Sequence, residues 1–153
     1  MGGLFPIRFF LFESLILGST LYALLRGGAP ERSVGFMLMI AWLLSVVMSH
    51  HNGWGHFHVE VFLIDLALFA GLYLLSLFTS RYWPLWMCAM QGLTVLGHAL
   101  ALLASADAAG YAIWTQFWGY PIQGLLIVAT RRHQRRLKLH GADPAWAFSR
   151  KLV

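Results

Sequence analysis

Apolar residues run nearly unbroken through five stretches of the chain, residues 5–25, 34–49, 59–78, 84–104 and 111–130, and polar residues gather in the short intervals between them. Crossing the hydrocarbon core of a bilayer takes roughly 20 helical residues at about 1.5 Å each. Four stretches meet that length outright. The second has only 16 residues and meets it if its helix runs on through 50–54 into the interface. The pattern predicts an all-α polytopic membrane bundle of about five transmembrane helices, with four as the alternative count. Connections of about 5 to 10 residues make consecutive helices antiparallel neighbours in an up-and-down bundle.

Composition agrees with this pattern. Of the 153 residues, 59% are hydrophobic and 11% charged, with a mean hydropathy of +0.65, whereas roughly a quarter of the residues in a soluble domain are charged. The net charge of +5 would otherwise suggest nucleic-acid binding, but seven of the eleven Lys and Arg residues lie beyond position 130. Residues 1–130 therefore form one transmembrane domain, and 131–153 a basic tail. Cys88 is the single cysteine, which excludes a disulfide framework and a cysteine metal motif.

Cations concentrate in the cytoplasmic loops of membrane proteins. Five spans put Arg26, Arg32, Arg81 and the tail on one side, which collects ten of the eleven cationic residues there. A four-span chain without the second stretch moves Arg26 and Arg32 to the opposite side. Five spans, N-terminus out and C-terminus in, is the better account. The first stretch resembles a signal peptide in outline, but Glu13 interrupts it and no A-x-A site follows, so it is expected to stay as an uncleaved span. Gly2 does not begin a myristoylation motif, because Pro6 stands where Ser or Thr is required.

Ionisable groups inside a span cost roughly 2.5 to 3.5 kcal/mol for Asp, Lys or Arg at the helix centre, and this chain keeps Glu13, Asp65 and His98. In the five-span topology all three lie roughly 9 to 12 Å below the outer helix ends, in one layer. Gln91 and Thr94 share the face of His98, and Gln116, Tyr120 and Gln123 form a stripe on the last helix. Pro121 frees a carbonyl one turn earlier, near Phe117. The layer is either a hydrogen-bond network that fixes helix packing or an ion or proton site. Small residues Gly97, Ala101 and Ser105, with Ala67 and Gly71 on the third helix, predict that the third and fourth helices pack tightly. Tyr82, Trp83, Trp86, Tyr111, Trp114 and Trp118 lie near span ends, where they would serve as interface anchors.

The loop above this layer carries His50, His51, His56 and His58 within nine residues. Neutral imidazoles at that density fit a transition-metal ion such as Zn, Cu or Ni. No His-x3-His pair is present, so a shared ion requires an extended backbone around His56 and His58. The plainer alternative is a histidine-rich interfacial turn around Trp54. Haem is a weaker fit: His98 has no intramembrane histidine partner, which leaves His58, Met87 or Met90 as the second ligand. In the tail, Arg131, Arg132, Arg135, Arg136 and Lys138 form a cluster suited to anionic lipid headgroups, worth roughly 1 kcal/mol per cation. Their commoner role is to stop and orient the last span. No nucleophile motif points to catalysis.

The stretch Arg81-Tyr82-Trp83-Pro84-Leu85-Trp86 leading to Gln91 and His98, with Asp65 on the preceding helix, resembles a pattern in small uncharacterised bacterial inner-membrane proteins. The resemblance covers roughly residues 59–130 and implies a bacterial inner membrane without implying a chemistry. It does not include the histidine loop. Two functions follow as expectations. One is a non-enzymatic accessory or assembly subunit of a larger membrane complex, or a homo-oligomer, with the bilayer as partner and no nucleic acid. The other is an ion- or proton-handling protein built on Glu13, Asp65 and His98 beneath the histidine loop. A membrane enzyme acting on lipid or quinone comes third.

Overall fold

The computed structural model describes residues 4–52, 59–104 and 108–146, and among these it is helical, with one isolated β-bridge between Thr79 and Trp146. Six helical segments follow in order: α1 Leu4–Arg26, α2 Ala29–Asn52, α3 Val59–Phe78, α4 Trp83–Ala104, α5 Ala108–Phe117 and α6 Gly119–His140. Three of them are long and apolar enough to cross a membrane: Ala29–Met48 within α2, Val59–Phe78, and Trp83–Leu103 within α4.

The second apolar stretch is therefore longer than its hydropathy indicates. Pro30 sits in the first turn of α2, where its missing N–H costs nothing, and Glu31 in that turn complements the helix dipole. Together they start the helix five residues before Val34. The last stretch differs in the other direction. Trp118 separates α5 from α6 with near-helical angles, φ −69° and ψ −20°, so the two segments are one rod with a bend. Pro121 supplies the cause: it has no N–H for the Phe117 carbonyl, and the next bond, Ile122 N–H to the Trp118 carbonyl, is stretched to 3.4 Å. The rod then continues as helix to His140, so the start of the expected tail is rigid. Gly141 ends it with φ 71°, a left-handed conformation that suits glycine, and its N–H caps the Leu137 carbonyl.

Consecutive helices pack side by side, and α6 closes the bundle by packing on α1 and α4, with lighter contact to α2. Leu72, Met87, Ile122 and Leu126 are fully buried along the axis, flanked by Val34, Leu38, Leu68 and Leu75. The outer surface is apolar as well: Leu11, Phe36, Leu63, Leu77, Leu102 and Leu103, among others, are all more than half exposed. A contiguous coat of this kind has no place in water and suits a lipid solvent.

Helices α3 and α4 do form the most extensive pair, but two of the glycines predicted to join them face other helices. A Cβ on Gly97 would lie 2.3 Å from the Trp114 ring, and one on Gly71 would lie 2.8 Å from Met37 Sδ. Those glycines receive side chains from α5 and α2. At the α3–α4 contact itself, Phe69 lies over Gly92, 3.1 Å from where a Cβ would stand.

The Arg26–Ala29 turn, the α3–α4 connection and the last turns of α6 meet at one end of the bundle. Gln134 hydrogen-bonds the Arg26 carbonyl there, and Arg81 reaches Asp143. Residues 141–146 form a strap that folds back onto α3. Its Ala145 carbonyl accepts the Ser80 N–H at 2.9 Å and the Thr79 hydroxyl at 2.9 Å.

Candidate functional site

Asp65 lies two turns into α3 and His98 two turns before the end of α4. Because adjacent helices run antiparallel, equal distances from the same end give equal depth, and the side chains meet. His98 Nε2 is 2.8 Å from Asp65 Oδ2. Gln91, two turns along α4 on the same face, donates from Nε2 to Asp65 Oδ1 at 2.8 Å and to the Asp65 carbonyl at 3.3 Å. The fourth member comes from α5: the Tyr111 hydroxyl is 2.6 Å from His98 Nδ1. The imidazole also packs against the Tyr111 and Phe62 rings, with centroids 5.4 and 5.9 Å away.

These contacts fix the chemistry of the chain. An ionised carboxylate only accepts hydrogen bonds, so Asp65 takes one from Gln91 and one from His98, which places a proton on Nε2. Neutral His98 then accepts the Tyr111 O–H at Nδ1. Protonated His98 donates at Nδ1 instead, and the phenol oxygen becomes the acceptor. A proton can thus enter or leave without any heavy atom moving far. The His98 side chain keeps only 2% of its surface exposed and that of Asp65 keeps 19%, while Tyr111 is half-buried. The enclosed imidazole sits between two groups that are each partly reachable. Since both ring nitrogens are engaged, His98 in this arrangement offers no lone pair to haem iron or a metal ion.

The expected single layer divides. Asp65, Gln91 and His98 come together, with Thr94 buried on the same face of α4, and Tyr111 joins them. Its position near a span end pointed to an interface anchor, and only the packing of α5 on α4 reveals its role. Gln123 is buried at the α1–α6 contact, where its Oε1 accepts the Ser19 hydroxyl at 2.5 Å. Glu13 stands half-buried on α1, which packs against α2 and α6 rather than against α3 and α4. Gln116 is half-buried on α5, and Tyr120 makes an edge contact with Phe12 of α1 at 5.0 Å. The helix face that each of these residues occupies was not legible in the sequence.

His50 and His51 belong to the last turn of α2, with side chains outside those described, and His56 and His58 lie outside the described residues. Among the described residues no group of three or more His, Cys, Asp or Glu is placed to hold a metal ion.

A second polar cluster occupies the charged end. Asp143 Oδ1 is bonded by Arg136 Nε at 2.7 Å and by Arg81, and Oδ2 by His133 Nδ1 at 2.7 Å. Burial alone would raise the carboxyl of Asp143. The bonds from Arg136 and His133 and the nearby charges of Arg81 and Arg136 outweigh it and hold the group below the usual carboxylate range. Arg136 is thus committed to the strap and is not a free headgroup ligand, whereas Arg131, Arg132, Arg135 and Lys138 are exposed. Glu31 lies close by, 1% exposed, with its Oε2 making no hydrogen bond.

Comparison of the chain with protein-family models, with curated proteins and with solved structures finds no match.

Proposed function

We propose that this chain is a small multi-pass membrane protein that handles protons, with Asp65, His98 and Tyr111 as its relay. One observation carries the proposal: the three side chains form a continuous carboxylate–imidazole–phenol hydrogen-bond chain, with links of 2.8 and 2.6 Å, inside an apolar bundle. Intramembrane ionisable groups are expensive and mark ion and proton routes, and imidazole is the side chain suited to exchanging protons near neutral pH. Gln91 holds the carboxylate in register. The histidines His50, His51, His56 and His58, which precede α3 in the sequence, would gather protons, or a transition-metal ion, for the relay.

Five spans with the charged end in the cytoplasm of a bacterial inner membrane is the topology we propose, since Arg26, Arg81 and the cationic turns of α6 share one end. Purified protein reconstituted in liposomes under a pH gradient tests the relay. Proton flux is expected from the wild type, with loss of flux in Asp65→Asn and His98→Ala and retention in Glu60→Gln on the exposed start of α3. Equal flux from wild type and both relay variants would sink the proposal.

An accessory-subunit role is the second reading. It is favoured by how little described chain lies outside the helices, essentially the two short turns and the strap of 141–146. Purification in mild detergent followed by mass spectrometry separates the two, because an accessory subunit carries a larger complex with it.

A further inference from the structure

The charged end contains two acidic side chains in opposite circumstances. Asp143 is saturated, with Arg81, Arg136 and His133 all bonded to it. Glu31 is the more deeply buried, and its Oε2 has no donor at all. The place that Oε2 faces is defined by Gly28. A Cβ there would stand 2.7 and 2.9 Å from Cε1 and Nδ1 of the His133 ring and 3.0 Å from Glu31 Oε2. The imidazole and the unpaired oxygen therefore converge over a residue that has no side chain.

The surroundings leave Glu31 without a cation of its own. Helix α6 offers His133 and Arg136, the strap offers Asp143, and these are the charged neighbours whose fields reach Glu31. Arg136 is bonded to Asp143, and Arg81 from the α3–α4 connection is bonded there as well. At the end of α1, a Cβ on Gly27 would stand 2.4 Å from the Ala23 carbonyl and 2.6 Å from Glu31 Cβ. A carboxylate oxygen enclosed in protein without a donor costs free energy that is recovered by taking up a proton. The His133 imidazole stands beside that oxygen.

Buried polar groups lead from the relay half of the bundle toward this place. Gln123, Thr130 and His133 lie along the buried side of α6, each under 9% exposed, and Ser19 and Thr20 are buried on α1. Ser19 donates to Gln123. The hydroxyls of Thr20 and Thr130 donate to carbonyls of their own helices, which leaves their oxygens free to accept. Gln123 to His133 is ten residues, roughly 15 Å of helix.

Resting on the proton-handling reading above, we propose that Glu31 and His133 form a second protonatable station, the port through which the path opens at the charged end. Uptake adds one proton to Glu31 Oε2 and gives a neutral carboxyl; release returns the carboxylate, and neither step involves an electron donor or acceptor.

The test uses the full chain with two readouts. The first is proton flux in liposomes for wild type, Glu31→Gln, Glu31→Asp and His133→Gln. The second is infrared absorption of protonated carboxyl in detergent as pH is varied. Expected are a fall in flux on the order of a hundredfold in Glu31→Gln, the size of a lost acid–base group, with partial recovery in Glu31→Asp. His133→Gln should slow flux as well. The infrared spectrum should lose one titrating carboxyl band in Glu31→Gln and keep it in Asp65→Asn. Wild-type flux in Glu31→Gln, or an unchanged set of carboxyl bands, would overturn the station. Absence of flux in the wild type would defeat the relay and the port together, and the infrared bands would then still decide whether Glu31 binds a proton.

Discussion

Replacing Asp143 by Asn tests the cluster that pins the strap to the bundle. The side chain is 4% exposed and receives Arg81, Arg136 and His133. Hydrogen bonds to a charged group contribute about 1.5 to 3 kcal/mol and neutral ones about 0.5 to 1.5, so the amide forfeits roughly 1 kcal/mol per bond, or about 3 in all. Arg136 is 30% exposed, and solvent screening of that arm reduces the sum to about 2 kcal/mol. That is roughly a 30-fold change in the docking equilibrium of residues 141–146. The Ser80 amide reports it directly, since its N–H is bonded to the Ala145 carbonyl on the strap. Hydrogen exchange of Ser80 should accelerate about 30-fold in Asp143→Asn, while amides in the middle of α6 keep their protection.

Acid should mimic the substitution. The carboxyl of Asp143 is held below its ordinary value of 3.8, so its stabilisation is complete above that pH and is lost as pH falls through the lower folded value. Wild-type Ser80 exchange corrected for its intrinsic rate should rise in that window, and the variant should show no such step. Unchanged Ser80 protection in Asp143→Asn at neutral pH would refute the assignment of the strap's hold to this carboxylate.

Three further outcomes are expected. Tyr111→Phe removes the hydroxyl hydrogen-bonded to His98 Nδ1, which should lower stability by about 0.5 to 1.5 kcal/mol in thermal unfolding and slow proton flux. Gly28→Ala drives a methyl into the His133 ring and should destabilise by about 1 to 3 kcal/mol, whereas Gly124→Ala, with nothing within 4 Å of its Cβ, should be neutral in the same melts. Retention of anionic lipid by the detergent-purified protein should weaken when Arg131, Arg132, Arg135 and Lys138 are made Gln, at roughly 1 kcal/mol per cation, and Arg136→Gln should instead raise Ser80 exchange.

Much of the architecture was legible in the sequence. Five apolar stretches correspond to five helical rods, and the cationic residues at Arg26, Arg81 and Arg131–Lys138 gather at the end that alternation of direction assigns them. The meeting of Asp65, Gln91 and His98 followed from depth plus antiparallel neighbours. Glu13 and Gln123 were assigned to the same layer yet face other contacts, because a near-uniformly apolar helix carries no stripe to fix its azimuth. Tyr111 was hidden because an aromatic near a span end suits the headgroup region equally well. Asp143 and Glu31 gave no local signal: one follows the last helix and the other precedes the second apolar stretch, and only the turn at Gly27 and Gly28 and the fold-back of the strap bring them together. For the histidines of the loop, the described residues add only that His50 and His51 lie on the last turn of α2.

Closure of the bundle by α6 also orders its assembly in time. The slot between α1 and α4 is filled by a helix that leaves the ribosome after both of them. Until then Ser19 lacks Gln123, the space over Gly28 lacks His133, and the α3–α4 connection lacks the strap that caps it. An inserted but unfinished chain therefore presents to lipid the polar seam that the finished bundle hides. A ribosome stalled before residue 119 should leave a protein open to membrane quality control, however well its earlier helices have formed.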